Sequence, residues 1–457
     1  MKPLSPPDAM FLMMEQARMP MHVASLQLFT PPPGSGKRFV TELVEHLREY
    51  DVPAAPFDQR PVFKRGRWHW ARDEHFDLEH HFRHSALPHP GRVRELLTLV
   101  SRWHGGVMDR SRPLWEIHFV EGLKDKRYAM YGKLHHAMFD GVAATKVTLN
   151  TLSPDPERRD MPPPWAVQRP KRRREPLEGG TTMNPFAALI QAMGDNYRVV
   201  PGMAKGLLDL VRRTDVDRLD VRPYQAPRTM FNTRITASRR FAAQSFPMER
   251  IKAVGKASGA TINDVVLAMC AGALREYLIQ QRALPDEALT AMVPVSVRAA
   301  DGPEDGNQVS MILANLATEV ADPGARLRQI IESTKIAKAK LRQMTRVEQI
   351  AYAAASMSPM PLTTLIGPER LRPPFNVVIS NVPGPTKPLY FNGGRLDEMY
   401  PVSIPIDGVA LNITLTSYVD TIGFGYTACR RSVPSMQRLL DYTELSLKEL
   451  EQAAGLA

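Results

Sequence analysis

Residues 153 to 180, SPDPERRDMPPPWAVQRPKRRREPLEGG, break the chain with proline and charge, and they constrain its folding more than any other stretch. Proline fixes φ and removes a backbone donor, so a segment this rich in it joins neither helix nor ladder readily. It reads as a linker expected to bury little. The 457 residues also exceed one ordinary core, which favours two domains. The boundaries that follow are 1–152 for an N-terminal domain, 153–225 for the linker and 226–457 for a C-terminal domain. Within the linker, MNPFAALIQAMGDNYRVVPGMAKGLLDLVRRT (183–214) has the spacing of two amphipathic helices broken near Pro201-Gly202.

Both flanking regions mix helix and strand. SLQLF (25–29) and KRYAMYGKL (126–134) have strand character, and RFVTELVEHLREY (38–50) has helical spacing. Beyond residue 230, TINDVVLAMCAGALREYLIQQ (261–281) is a strong helix and SMQRLLDYTELSLKELEQAA closes the chain as another. ALTAMVPVSV, NQVSMILANLATEV, FNVVIS, VALNITLTSYV and TIGFGYTACR alternate as strands do. No short-period repeat is visible, and the class is α/β (α+β).

The formal net charge is +11, which suits anionic partners: nucleic acid, phospholipid head groups or a phosphate-bearing substrate. Two cysteines, Cys270 and Cys429, make no disulfide framework and fit a reducing compartment. The start, MKPLSPPDAMFLMMEQ, lacks a signal peptide's apolar core; it reads as a helix with Ser5 as N-cap, Pro6 first and Asp8 completing a capping box. The uncharged run nearest to a membrane span, Gln349 to Pro368, is interrupted by Pro359 and Pro361. A cytoplasmic protein with no spanning helix is expected.

The chemistry concentrates in KLHHAMFDGVA (133–143), where His135 and His136 precede Asp140 and Gly141. At a strand end the two imidazoles point to opposite faces, so one site can use only one of them directly. That weighs against a metal pair, as does the spacing of the other histidine-rich stretch, HFDLEHHFRH (75–84). A neutral imidazole accepts a proton near pH 7 and suits a general base. Asp140 could orient it directly or brace the loop through an arginine, and Gly141 would allow a tight turn. A satisfied core histidine beside a surface carboxylate is the plainer alternative.

The motif has company. LSPPDAMFL (4–12), PMHV (20–23), PLWE (113–116), HHAMFDG, TINDVVLA (261–268), VPVSVR (293–298), NVVISNVPGP (376–385) and ALNITLTSY (410–418) occur in order. Together they closely resemble the bacterial wax ester synthase/acyl-CoA:diacylglycerol acyltransferase family, whose HHxxxDG signature belongs to the chloramphenicol acetyltransferase-like superfamily. The resemblance runs nearly end to end, with only 155 to 225 nondescript. It implies two chloramphenicol acetyltransferase-like domains with mixed sheets and an active-site channel between them.

It also implies residue roles. His136 is the base that takes the proton from an acceptor hydroxyl and returns it to the departing thiolate, without an acyl-enzyme. His135 and Asp140 are structural, and Asp140 pairs with Arg298 at the end of VPVSVR. Asn263 and Asp264 belong to a family motif, although TIND also reads as a helix start capped by Thr261 or Asn263. Ser380 and Asn381 line the channel or form the turn before PGP. Trp115 and Glu116 of PLWE read as a core anchor and a strand-end charge, and both cysteines as packing residues.

The implied substrates are a fatty acyl-CoA and a long-chain alcohol or diacylglycerol, with acyl-CoA as substrate and no cofactor. The insoluble acceptors imply work at a peripheral membrane or lipid-droplet surface, the inner membrane or lipid inclusions in a bacterium. Lys171, Arg172, Arg173 and Arg174, ahead of the apolar helices, are the expected contact. Two rivals remain: a condensation-type enzyme using carrier-protein thioesters, and a non-enzymatic basic binding protein. No carrier domain is present in the sequence. KRRR is one short run without interleaved aromatics, so no nucleic-acid partner is expected.

Overall fold

The computed structural model describes residues 1–139, 141–167, 219–297, 308–344, 348–349, 352 and 372–456. Asp140, Arg298, the basic run 171–174 and the helical segment 183–214 lie outside the described residues.

Two six-stranded mixed sheets dominate. One runs, in spatial order, β12 (Tyr390–Phe391), β13 (Gly394–Val402), β2 (His22–Thr30), β7 (Tyr128–His135), β6 (Trp115–Glu121) and β5 (Phe82–Ala86). The other runs β10 (Gln308–Asn315), β9 (Thr290–Val297), β11 (Val377–Val382), β14 (Leu411–Tyr418), β15 (Thr421–Cys429) and β8 (Arg239–Pro247). A third, smaller sheet joins β1 (Lys2–Pro3) to a hairpin of β4 (Arg67–Arg72) and β3 (Gln59–Lys64). Each strand expected from the sequence is present, NQVSMILANLATEV only over its first part, as β10.

The helices are α1 (Pro6–Met14), α2 (Phe39–Arg48), α3 (Val93–His104), α4 (Gly141–Leu149), α5 (Met248–Ser258), α6 (Ile262–Gln280), α7 (Pro323–Gln343) and α8 (Arg438–Ala453). On α1, Ser5 caps the Asp8 amide as expected, and the Asp8 carboxylate accepts the Ser5 hydroxyl at 2.6 Å. The helix α6 is apolar on every side, and Asp264 through Leu274 are all buried beneath α5, α7 and α8. No single described helix is long and apolar enough to cross a membrane. The bent pair α5–α6, angled at 102°, reaches that composition only jointly, and its apolar residues fill the core.

Two findings join the halves more closely than the linker suggests. First, β13 comes from the C-terminal half yet pairs antiparallel with β2 of the N-terminal half. It also packs on β15: a Cβ at Gly423 would sit 2.5 Å from the Met399 carbonyl oxygen, and one at Gly425 would collide with that of Pro401. Only glycine permits so close a backbone approach. Second, residues 161–165, expected to bury little, are largely buried. Trp165 lies among Trp115 and Phe82, and its indole donates to the Tyr50 carbonyl at 2.8 Å. Met161 is held by Asn392, whose side chain accepts its amide at 2.7 Å. Prolines exclude a ladder, but they leave neighbouring apolar side chains fit to fill a core.

Candidate active site

The site forms where β7 ends. His135 closes that strand opposite His22 of β2, and its own amide donates to the Leu114 carbonyl at 3.0 Å. The chain then folds back, with the amides of Met138 and Phe139 both donating to the His135 carbonyl. The His136 amide donates to the Met21 carbonyl at 2.8 Å. Three strands' worth of backbone bonds thus hold the two histidines before α4 begins.

The pair divides its labour. His135 is fully buried, and its Nδ1 accepts the Ala137 amide at 3.0 Å, which in the neutral ring leaves the proton on Nε2. Nε2 lies 3.3 Å from Oε1 of Glu15. That carboxylate also accepts the Met21 amide at 3.0 Å and Nε of Arg110 at 3.2 Å. Burial pushes the Glu15 pKa up, but His135, Met21 and Arg110 outweigh it and hold the carboxyl below its usual range. His136 is half-buried, and its ring lies flat on Phe11 of α1 with centroids 4.0 Å apart. One histidine is committed to the scaffold; the other keeps access to solvent.

Behind them lies a buried polar array. Nε2 of His22 donates to the His104 carbonyl at 2.9 Å; His104 donates to the Ser403 carbonyl at 2.8 Å and accepts the Tyr131 hydroxyl at 2.9 Å. Burial pushes the pKa of His22 well down and that of His104 to about 3, so both rings are neutral. Lys133, 2% exposed, pairs with Glu116 at 3.0 Å and donates to the carbonyls of Trp103 and Gly106. His118 stacks on Trp103 and lies 3.3 Å from the same Glu116 oxygen. Burial raises the Glu116 pKa, but His118 and Lys133 bring it to about 2.

Several expectations change. Glu116, the second residue of β6, is more than a strand-end charge: it accepts from the buried Lys133 of β7. Trp115 is the expected core anchor, its indole donating to the Phe57 carbonyl at 2.8 Å. Gly141 opens α4, and among the described residues a Cβ there would meet nothing within 4 Å. Asp264 accepts the Thr261 amide and hydroxyl and the Thr334 hydroxyl, which makes it a capping-box and helix-pairing residue. Thr261 is the cap; Asn263 is half-buried beside it. Ser380 and Asn381 lie inside β11, paired with Thr414 and Leu415 of β14, and are not turn residues. The histidines of 75–84 scatter: Nδ1 of His81 donates to the Trp115 carbonyl, His84 meets Glu121, and His75 and His80 are exposed. Among the described residues no group of three His, Cys, Asp or Glu is placed to hold a metal ion. Cys270 is a packing residue of α6 as expected. Cys429 does more: its Sγ accepts the Thr236 amide at 3.3 Å. Burial raises that thiol's pKa, and hydrogen bonds from Ser432 and Thr236 outweigh it, to about 7.

Sequence reasoning missed Glu15, Arg110 and Phe11. Phe11 stood in a noted motif without a role, and nothing local marks Glu15 as a buried ligand of a residue 120 positions away.

The model of the wax ester synthase/diacylglycerol acyltransferase catalytic domain matches residues 4–266 of this chain, and that of the family's C-terminal domain matches 305–451. The chain belongs to the wax ester synthase/diacylglycerol acyltransferase family. It is 46% identical to a probable diacylglycerol O-acyltransferase of Mycobacterium tuberculosis over 99% of both chains. It is 43% identical to an O-acyltransferase of Acinetobacter baylyi, over 99% of this chain and 97% of that one. The structure matches the wax ester synthase/diacylglycerol acyltransferase from Marinobacter aquaeolei with a TM-score of 0.81, 45% identity and full coverage of both. A condensation domain of the CDA synthetase shares the fold at 15% identity and a TM-score of 0.55, over 99% of this chain and 96% of that one. Membership places HHAMFDG, at the end of β7, inside the catalytic-domain match.

Proposed function

We propose that this chain transfers a fatty acyl group directly from acyl-CoA to the hydroxyl of a long-chain alcohol or diacylglycerol, with His136 as general base. The observation that carries the reading is the division between the two histidines. His135 is locked by Ala137 and Glu15, whereas His136 keeps solvent access on a rigid aromatic bed. An imidazole so placed takes the hydroxyl proton as the oxygen attacks the thioester carbon. The C–S bond then breaks, and the imidazolium returns its proton to the thiolate. Acyl-CoA is a substrate, and the chemistry calls for no cofactor. The pairing of Asp140 with Arg298 remains part of this reading, as does a channel between the two halves.

The names of the relatives support an acyl transfer to diacylglycerol or another alcohol over a carrier-protein condensation or a basic binding role. Acceptors and products of this kind partition into lipid, so the reading puts the enzyme at a membrane or lipid-droplet surface facing the cytoplasm. The deciding assay supplies palmitoyl-CoA with hexadecanol or diacylglycerol to the purified protein and identifies the lipids formed. His136→Ala is expected to lower turnover by about 100-fold or more at an unchanged melting temperature. Near-normal turnover in a folded variant would remove the base assignment. Asp140→Ala and Arg298→Ala, if the two pair, should each lower the melting temperature and combine less than additively.

A further inference from the structure

The hairpin β3–β4 concentrates positive charge, and at its tip no carboxylate of the described residues compensates it. Its sequence, QRPVFKRGRWHWAR, carries Arg60, Lys64, Arg65, Arg67 and Arg72 and no acidic residue. At the base, Arg60 and Arg72 lie 3.9 and 3.7 Å from Asp73 and Asp58. At the tip the register sets Lys64 directly opposite Arg67, with Arg65 in the two-residue turn between them. Like charges in cross-strand register repel. Among the described residues no carboxylate pairs with Lys64, Arg65 or Arg67.

The other face of the same tip is apolar. Phe63 is 60% exposed and meets Trp68, its cross-strand neighbour, edge to face at 5.2 Å. Trp68 is half-buried, packs with the core that contains Phe11, and lies under the Arg110 guanidinium at 6.0 Å. An exposed aromatic with a half-sunk tryptophan and three uncompensated cations is the combination that seats in a head-group layer: the rings enter the acyl boundary while the cations meet anionic lipid. Through Arg110, Glu15 and α1, the hairpin leads to the His135–His136 turn.

We infer that the tip of the β3–β4 hairpin, Phe63 to Trp68, docks the enzyme on an anionic lipid surface, next to the site that takes its acceptor from that surface. This inference rests on the lipid-surface part of the proposed function. The test is co-sedimentation with phosphatidylcholine vesicles and with vesicles containing phosphatidylglycerol, at low and high salt. It compares the parent, Phe63→Ser, the double variant Lys64→Glu/Arg67→Glu, and a chain with residues 171–174 neutralised. The parent is expected to prefer the anionic vesicles, and the double variant to lose that binding by tenfold or more. Phe63→Ser is expected to weaken binding to both vesicle types. All three variants should keep the parent's melting temperature and its turnover of a short-chain, water-soluble alcohol.

Vesicle binding retained by both hairpin variants but lost on neutralising 171–174 would overturn the hairpin and leave the lipid-surface reading standing. Failure of the parent to bind any vesicle would overturn both, while acyl transfer measured in detergent would stand by itself. A hairpin-dependent oligomer formed without vesicles would assign the face to a second copy of the chain and overturn the inference.

Discussion

The interior around α6 is apolar throughout, whereas the equally buried β2–β7–β6 layer sets a polar array among its apolar side chains. Around α6, Val265 to Leu274 meet aliphatic side chains of the second large sheet and of α8. In the other layer His22, His104, His118, His135 and Lys133 are buried, with Glu15 and Glu116 beside them. An apolar interior tolerates exchange of like for like at modest cost, because its attraction is non-directional. A polar interior depends on each donor finding its acceptor, since an unpaired buried group keeps its full desolvation cost. The His135–His136 pair grows out of the second kind. That layer holds the turn after β7 in one geometry, and it is the more fragile to single changes.

The largest expected effect breaks its buried lysine-carboxylate pair. Lys133→Met should leave the Glu116 carboxylate without its cation, with His118 alone beside it, and cost about 3–5 kcal/mol in denaturant unfolding. The double variant Lys133→Met/Glu116→Leu should recover much of that loss. No recovery would mean that packing, not charge, holds this layer together. In the apolar region Leu274→Ala should cost about 2–5 kcal/mol through the cavity it leaves, and no second substitution of a polar group should relieve it. A rescue there would erase the contrast.

A smaller effect is read in pH. The folded-state pKa values of His22, His81, His104 and His118 are lowered, so the unfolded chain binds more protons below the ordinary histidine value of 6.5. The stability they contribute is complete above that value and falls as pH falls, down to about 3 for His104. The carboxyls of Glu15 and Glu116, lowered from 4.5, add a slope of the same sign as pH nears that value, so the histidines are read between 6.5 and about 5.5. In that window His104→Gln should reduce the slope by up to about 1.4 kcal/mol per pH unit. An unchanged slope would show that His104 titrates alike in both states. The smallest effect belongs to the surface: Phe63→Ser should move unfolding by no more than about 0.5 kcal/mol, checked in the same denaturant series.

How much of this was legible beforehand follows the same division. The apolar helix 261–281 and the strands 25–29 and 126–134 could be read directly, since period and burial are properties of contiguous residues. HHAMFDG was legible too, because strand end, turn and helix start are local. The buried segment 161–165 was misread, since proline content hid the apolar residues around it. Glu116 was placed at its strand end, but its partner was not legible, because Lys133 lies on the neighbouring strand.

By itself, then, the sequence determined the elements, the mixed α/β class and the contiguous histidine motif, all of which depend on near neighbours. Tertiary structure alone decided that β13 crosses to the sheet of β2, that Glu15 and Arg110 secure His135, and that His136 rests on Phe11. Those contacts join residues far apart in the chain, and a carboxylate shows no local sign of whether it will face water or a buried imidazole. Its energy is set by burial and by partners that only the packed sheets bring within reach.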